Sequence, residues 1–300
     1  MGCLYGGKLS AVEGNEVHLV DVWQEHVDAI ERDGLRMEDG GEVLVYDRLR
    51  AHSGAASVGP VDLAIVFVKS TLTRAAVSDN REVFGPGTLA LTLQNGLGNI
   101  EEIAAVAGEG NVLAGTTAHG AHMQGPGRMR HAGSGLTLIG ELDGRIGPRI
   151  QRVKEALEAA GMETQISGDV LGLVWDKLLV NVGINALTAI TGLKNGELLR
   201  DPELCGMLEE AVREGAKVAE AKGIVPISRD PVAHAKDVAR MTGENRSSML
   251  QDVLAGRRTE IDMINGAIVE EGKRLGIPVP VNELLTERVH QLERERKEGS

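Results

Sequence analysis

Between Trp175 and Ile190 the chain reads WDKLLVNVGINALTAI, an almost wholly apolar run that carries Lys177, Asn181 and Asn185 at steps of four. In a helix each step of four drifts by only about 40°, so one ammonium and two amides share a single stripe of a greasy cylinder. Such a cylinder is normally buried, and a lysine is seldom buried without a partner or a ligand. Leaving polar groups unpaired in the interior costs on the order of 1–3 kcal/mol each, so three in register imply a shared purpose. An ammonium can stabilise and protonate an oxygen on which negative charge develops, and amides can hold a carboxylate without adding another full charge. For any one of the three, the competing reading is structural: a lysine snorkelling at a helix end, or an amide satisfied by loop carbonyls.

The bulk composition narrows what such a stripe could serve. The 300 residues suggest one large or two ordinary domains, and 42% hydrophobic with 25% charged residues is a globular composition. No stretch approaches the roughly 18 consecutive apolar residues of a membrane span, and the start lacks a signal-peptide pattern, so the expected address is the cytoplasm, away from membranes. With 32 basic against 44 acidic residues the net charge is −12, which argues against a nucleic-acid partner. Cys3 and Cys205 show no paired metal-ligand spacing, and His119, His122 and His131 read as loop and strand-end residues, so no metal is expected. Aromatics make up 2% of the chain, too few for a base-stacking platform.

The elements that must position the stripe divide the chain in two. In the first half, short β-branched runs at 16–20, 63–68, 89–93, 111–115 and 137–142 alternate with helical stretches such as WQEHVDAIERDG and NIEEIAAVAGEG, each ending at glycine. That alternation predicts an α/β domain with a mainly parallel sheet covered by helices. The Gly-rich stretch 115–135 predicts a hairpin added to the sheet, followed by a helix at 149–161 and a terminal strand. From the expected hinge Ser167-Gly168-Asp169 onward nothing reads as strand. Helices are expected at about 170–191, 203–222, 230–241, 246–255, 259–275 and 281–296, with RERKEGS as a disordered tail. The expected domains are therefore 1–168, a sheet domain, and 169–300, all-helical.

The start of the chain looks like the end of a dinucleotide-binding fingerprint. That motif needs a strand, G-x-G-x-x-G opening a helix, and an acid at the end of the second strand about 20 positions on. Gly2 is followed by LYGGKLSAVEG with helical spacing, then EVHLV and Asp21. The reading is a Rossmann-type domain whose first strand and first two glycines lie upstream of Met1, roughly ten native residues that would supply them. Without them the chain is expected to be destabilised and to bind cofactor poorly.

Two further segments complete the pattern. LQNGLGN at 93–99 ends a strand with the Asn95 amide and a glycine turn at the carboxyl edge of the parallel sheet, where a nicotinamide would lie. ENRSSMLQDVLAGRRTEID at 244–262 places Asn245 and Ser248 at a helix start. Glu260, four and eight residues before Ile264 and Ile268, reads as an inward carboxylate on a helix.

Together with the MG-x-L-Y-GG start and Lys69 in VFVKS, these pieces closely resemble the ketopantoate reductase (2-dehydropantoate 2-reductase) family, from Met1 to about Arg294. The resemblance implies an NADPH-dependent reduction of ketopantoate to pantoate on the route to pantothenate and coenzyme A. The family's lysine falls on Lys177 and its carboxylate on Glu260. Its substrate amides fall on Asn181, Asn185 and Asn245, its serine on Ser248, and its cofactor residues on Lys69 and Asn95, beside Gly2 and Asp21 of the fingerprint. Hydride arriving at a ketone leaves charge on oxygen, which makes Lys177 the candidate acid. Glu260 would accept from a substrate hydroxyl or orient the lysine, and a structural reading stays open beside these.

One departure concerns the cofactor. A 2′-phosphate usually needs a basic residue after the second strand, whereas Asp21-Val22-Trp23 offers an acid that suits the ribose of NADH. The resemblance implies NADPH, and the local residues allow NADH. Rival readings are a reductase of another branched 2-oxo acid and a cofactor-dead binding or regulatory homologue. A homo-oligomer is compatible with the sequence, which does not specify one.

Overall fold

The computed structural model describes residues 1–298. It divides into two compact units: Met1–Gln94 with Asn99–Val170, and Asn95–Gly98 with the chain from Leu171 onward.

The first unit is a Rossmann-type α/β domain. It opens with α1 (Gly2–Ser10), β1 (Val17–Val20), α2 (Gln24–Asp33), β2 (Leu35–Asp39), β3 (Glu42–Tyr46) and β4 (Leu49–His52). Next come β5 (Leu63–Val66), α3 (Thr73–Asp79), β6 (Leu89–Thr92), α4 (Asn99–Ala107) and β7 (Val112–Thr117). The unit closes with β8 (Gly120–Gly125), β9 (Arg128–Gly133), β10 (Thr137–Glu141), α5 (Pro148–Ala159) and β11 (Thr164–Ile166). The central strands read as unbroken apolar runs because they are covered on both faces: Ala90, Leu91, Leu113 and Ala114 are all 0% exposed. β5, β6 and β7 run parallel in a sheet ordered β11-β10-β7-β6-β5, with β10 antiparallel to β7. β1 pairs in parallel with β4 as a separate ribbon, so β1 and β5 each keep one edge without a strand partner among the described residues. Tyr5 ties α1 to the sheet: its buried hydroxyl meets the side chains of Thr117 at 2.9 Å and Thr137 at 2.7 Å.

The hairpin at 115–135 does not extend the parallel sheet, contrary to expectation. β8 and β9 join a second, four-stranded sheet ordered β3-β2-β9-β8, built on residues 35–46, for which the sequence reading has no strand. Alternation explains it. Leu35, Met37 and Met129 point inward and share a core with Leu4 and Tyr5, while Arg36, Arg128 and Arg130 face out. His131 correspondingly lies inside β9, 8% exposed, rather than at a strand end.

The second unit is helical: α6 (Val170–Thr191), α7 (Pro202–Ala221), α8 (Pro231–Met241), α9 (Ser248–Leu254), α10 (Asn265–Leu275) and α11 (Pro280–Glu298). By length and composition α6 could cross a membrane, but it is the axis of this unit's core. Leu178, Leu179, Val182, Ile184 and Leu187 of α6 pack with Leu208, Ala211 and Val212 of α7. Side chains of this size contribute roughly 1.5–3 kcal/mol each when fully buried. α6 and α7 approach through Gly183, where a Cβ would lie 2.8 Å from Val212 Cγ2. Asp201 starts α7 by accepting from the Glu203 and Leu204 N–H groups, with Pro202 at the first helical position. On α7 the buried Glu214 carboxylate accepts the N–H groups of Val281 and Asn282 at the start of α11. Asn282 in turn bonds Asn265, whose amide also donates to the Val182 carbonyl at 3.0 Å. That network fixes α11 against α6, α7 and α10.

Two expectations fail here. The continuous helix at 259–275 is broken: residues Ile261–Met263 form a 3-10 turn, and Ile264 at φ −110°, ψ −92° interrupts the chain before α10. The tail RERKEGS is mostly helical, since α11 reaches Glu298, and its last two residues lie outside the described residues.

Candidate active site

In the second unit, α6 presents the polar stripe as its spacing predicts. Lys177 and Asn181 are partly buried, and Asn185 is 4% exposed. Burial pushes the Lys177 ammonium down to about 8, against the opposing pull of the Glu260 carboxylate. The Asn185 amide nitrogen is buried with no hydrogen-bond partner among the described residues, a costly arrangement unless a ligand supplies an acceptor.

One turn further, Thr188 continues the stripe and bonds Ser247 Oγ at 2.6 Å. Ser247 is the N-cap of α9, accepting from the Leu250 N–H, so this contact pins the start of α9 to α6. Ser248 is the first residue of α9 and, like Asn245, is exposed. The Asn245 carbonyl accepts the Asn195 N–H at 3.0 Å. Asn195 was not among the sequence candidates. It is 7% exposed, donates its side-chain amide to Thr242, and its Oδ1 has no partner among the described residues. The signal was an Asn-Gly pair just past the end of α6, which reads first as a turn.

Glu260 is 6% exposed, so the inward carboxylate is found, but it precedes the 3-10 turn instead of lying along a helix face. Asn95 Nδ2 approaches Glu260 Oε2 at 3.4 Å. The loop carrying Asn95 is seated on the same turn, with the Leu97 N–H donating to the Met263 carbonyl at 2.9 Å. Gly96 makes that seat available: its φ is +80°, and a Cβ would fall 2.4 Å from the Met263 carbonyl oxygen. The structure thus brings Lys177, Glu260 and Asn95 together, with Asn181 and Asn185 along α6 and Asn245 and Ser248 flanking the cap of α9.

In the first unit Gly2 opens α1. The Met1 ammonium beside it is lowered by burial, and it feels the fields of Cys3, Asp21 and Lys69. Asp21, at the end of β1, accepts the Trp23 N–H through Oδ1 at 2.9 Å and donates its own N–H to the His52 carbonyl. Val22 between them is 91% exposed, and Trp23 stacks on His26 with ring centroids 5.4 Å apart. Lys69 immediately precedes the short 3-10 turn Ser70–Leu72 after β5. A glycine at a helix start, a carboxylate at the end of the neighbouring strand and a lysine nearby fit the pyrophosphate and ribose of a dinucleotide.

Comparison with known proteins identifies the family. The family model for ketopantoate reductase PanE/ApbA matches residues 1–144, and that for its C-terminal domain matches residues 169–293. The chain is 40% identical to the 2-dehydropantoate 2-reductase of Halobacterium salinarum over 98% of this chain and 96% of that one. Among solved structures it is similar to a PanE/ApbA family ketopantoate reductase from Ralstonia eutropha, with 34% identity, a TM-score of 0.90, and coverage of 98% and 96% of the two chains. It is also similar to a D-mandelate dehydrogenase solved with NADH and anilino(oxo)acetate, with 30% identity, a TM-score of 0.89, and coverage of 97% and 94%. Matched over both of its units, the chain belongs to the ketopantoate reductase family of NAD(P)H-dependent oxidoreductases.

Proposed function

We propose that this protein reduces ketopantoate to pantoate in the cytoplasm, for the synthesis of pantothenate and coenzyme A. The observation that carries the reading is the stripe on α6: a lysine pulled down to about 8 beside Glu260, in line with a buried Asn185 amide nitrogen that has no hydrogen-bond partner among the described residues. A reduced nicotinamide, when bound, supplies the hydride. Lys177 donates a proton to the ketone oxygen as charge builds there. Asn181, Asn185, Asn245 and Ser248 offer N–H and O–H donors to the substrate carboxylate and hydroxyl. Glu260 accepts from the substrate hydroxyl and favours the charged form of Lys177, and Asn95 orients Glu260. Gly2, Asp21 and Lys69 hold the dinucleotide.

The acid role fixes a sign for the pH dependence. Lys177 is active when protonated, so kcat/KM for reduction should be flat below pH 8 and fall about tenfold per unit above it. Oxidation of pantoate, which needs the free amine, should rise towards the same pH and then level. A steady-state profile in both directions measures this, and a reduction limb that stays flat to pH 10 would remove Lys177 as the acid.

The family resemblance points to NADPH, while the turn at Asp21 favours NADH: its carboxylate is fixed by the Trp23 N–H, and the exposed Val22 stands where a basic residue would meet a 2′-phosphate. If Asp21 governs the choice, Asp21→Ala should narrow any preference for NADH over NADPH by about tenfold, read as dissociation constants from quenching of tryptophan fluorescence. A parent that binds NADPH more tightly, and whose preference Asp21→Ala leaves in place, would assign the phosphate to another basic residue. The likeness to D-mandelate dehydrogenase supports a second substrate reading, another branched 2-oxo acid. Turnover of ketopantoate beside phenylglyoxylate, with each cofactor, separates the two. Absence of both turnover and cofactor binding would leave a binding or regulatory homologue.

A further inference from the structure

We infer that the C-terminal helix α11 is a strut that positions Glu260: Glu293 holds the turn carrying Glu260 in the place from which its carboxylate faces Lys177. The proposal rests on the reading of Glu260 and Lys177 as partners at the reacting end.

The turn is a single short one, Ile261–Met263. Glu260 lies between two helices, at φ −97° and ψ 23°, in a segment whose bonds include those from Met263 N–H to the Glu260 carbonyl, from Ile264 N–H to the Ile261 carbonyl and from Ile261 N–H to Thr259 Oγ1. A single 3-10 turn of this kind is marginal without external partners. Two partners bracket Glu260. On its far side the Met263 carbonyl accepts from Leu97, as described above. On its near side the buried Thr259 N–H, one residue before Glu260, donates to Glu293 Oε1 at 2.8 Å. His290, one turn earlier on α11, adds a contact from Nε2 to Asp262 Oδ1 at 2.7 Å, and Arg258 bonds the other oxygen of Asp262.

α11 is suited to act as a fixed reference. Its start is locked by Glu214 and Asn282, and Leu285 and Val289 are 0% exposed in the core. The side chain at 293 therefore projects from a helix that cannot easily follow a wandering turn. Removing the Glu293 acceptor leaves a buried N–H unpaired, and the turn can relieve that only by shifting towards water. Glu260 would shift with it. Because the Glu260 charge sustains the protonated form of Lys177 against burial, withdrawal of that charge lowers the lysine further.

The test is an NMR titration of the Lys177 side chain in ligand-free protein, assigned with Lys177→Arg, in the parent, Glu293→Ala and Glu293→Gln. The expected result is a parent value near 8, a Glu293→Ala value lower by about half a pH unit or more, and a Glu293→Gln value like the parent, because the glutamine carbonyl still accepts the Thr259 N–H. Kinetics should follow, with the alkaline limb of reduction shifted down and KM for the 2-oxo acid raised about tenfold in Glu293→Ala alone. A purely structural tie would lower the melting temperature without moving the lysine. If Glu293→Ala does not fold, Glu293→Asp, whose carboxylate is drawn back by one methylene, takes its place in the same titration. An unmoved Lys177 in the folded variant overturns the strut alone. A parent value near 10.5 overturns the Lys177–Glu260 reading, and the strut with it.

Discussion

Lys177→Ala is expected to lower turnover of ketopantoate by at least ~10²-fold, while the dissociation constant of the nicotinamide cofactor stays within a few-fold of the parent. The size follows from where the ammonium sits. It lies on the stripe of α6, its proton is made transferable by burial, and the Glu260 charge keeps it protonated at neutral pH. Alanine removes the acid and leaves the carboxylate of Glu260 without its cation, so both proton transfer and charge balance fail. The fold should survive, because the apolar flanks of α6 that form the core are untouched. A decline in turnover without loss of cofactor binding, measured in steady state and by fluorescence titration, marks the effect as chemical. Turnover within a few-fold of the parent would take Lys177 out of the reaction.

Gly96→Ala is expected to cost kcat/KM about 10²-fold, since a displacement of order 1 Å in a positioning loop can have that effect. Two penalties coincide at this residue. A φ of +80° strains any side chain, and the new methyl would fall 2.4 Å from a backbone oxygen that is itself bonded to Leu97. The loop must lift from the turn, taking Asn95 away from Glu260. Gly98→Ala provides the contrast: its φ of +89° is equally strained, but its Cβ meets only the flexible tip of Met263, at 3.1 Å. Gly98→Ala should lose stability with a much smaller loss of activity. Equal losses in both variants would show backbone strain, rather than the close approach to the Met263 carbonyl, to be the cause.

The parts of the site that could be read from the chain are those set by local geometry. Lys177, Asn181 and Asn185 share a stripe because the period of a helix is fixed, and Asp201-Pro202 marks the start of α7 through a local capping bond. Glu260 shows the limit of that logic. Reading the apolar period through Ile264 and Ile268 predicts a helix, and the carboxylate is indeed inward, yet the chain breaks at Ile264 because Glu293 and Leu97 hold the turn in another conformation. Those partners are distant in sequence, and no window of the chain contains them. Asn195 was missed for a related reason: its burial depends on contacts with Thr242 and Asn245 that exist only once α8 and α9 have packed.

The sequence by itself determined the class of the fold, an α/β unit followed by helices, because hydrophobic period and capping residues act over a few positions. It also determined which side chains could carry the chemistry, since their types are independent of folding. Only the tertiary structure decided that the hairpin at 120–133 pairs with β2 and not with the parallel sheet, because strand pairing depends on which half-buried faces meet. Only the tertiary structure brought Lys177 down to about 8, because the desolvation that lowers it and the opposing field of Glu260 arise from surroundings assembled from α6, the turn before α10 and the Asn95 loop.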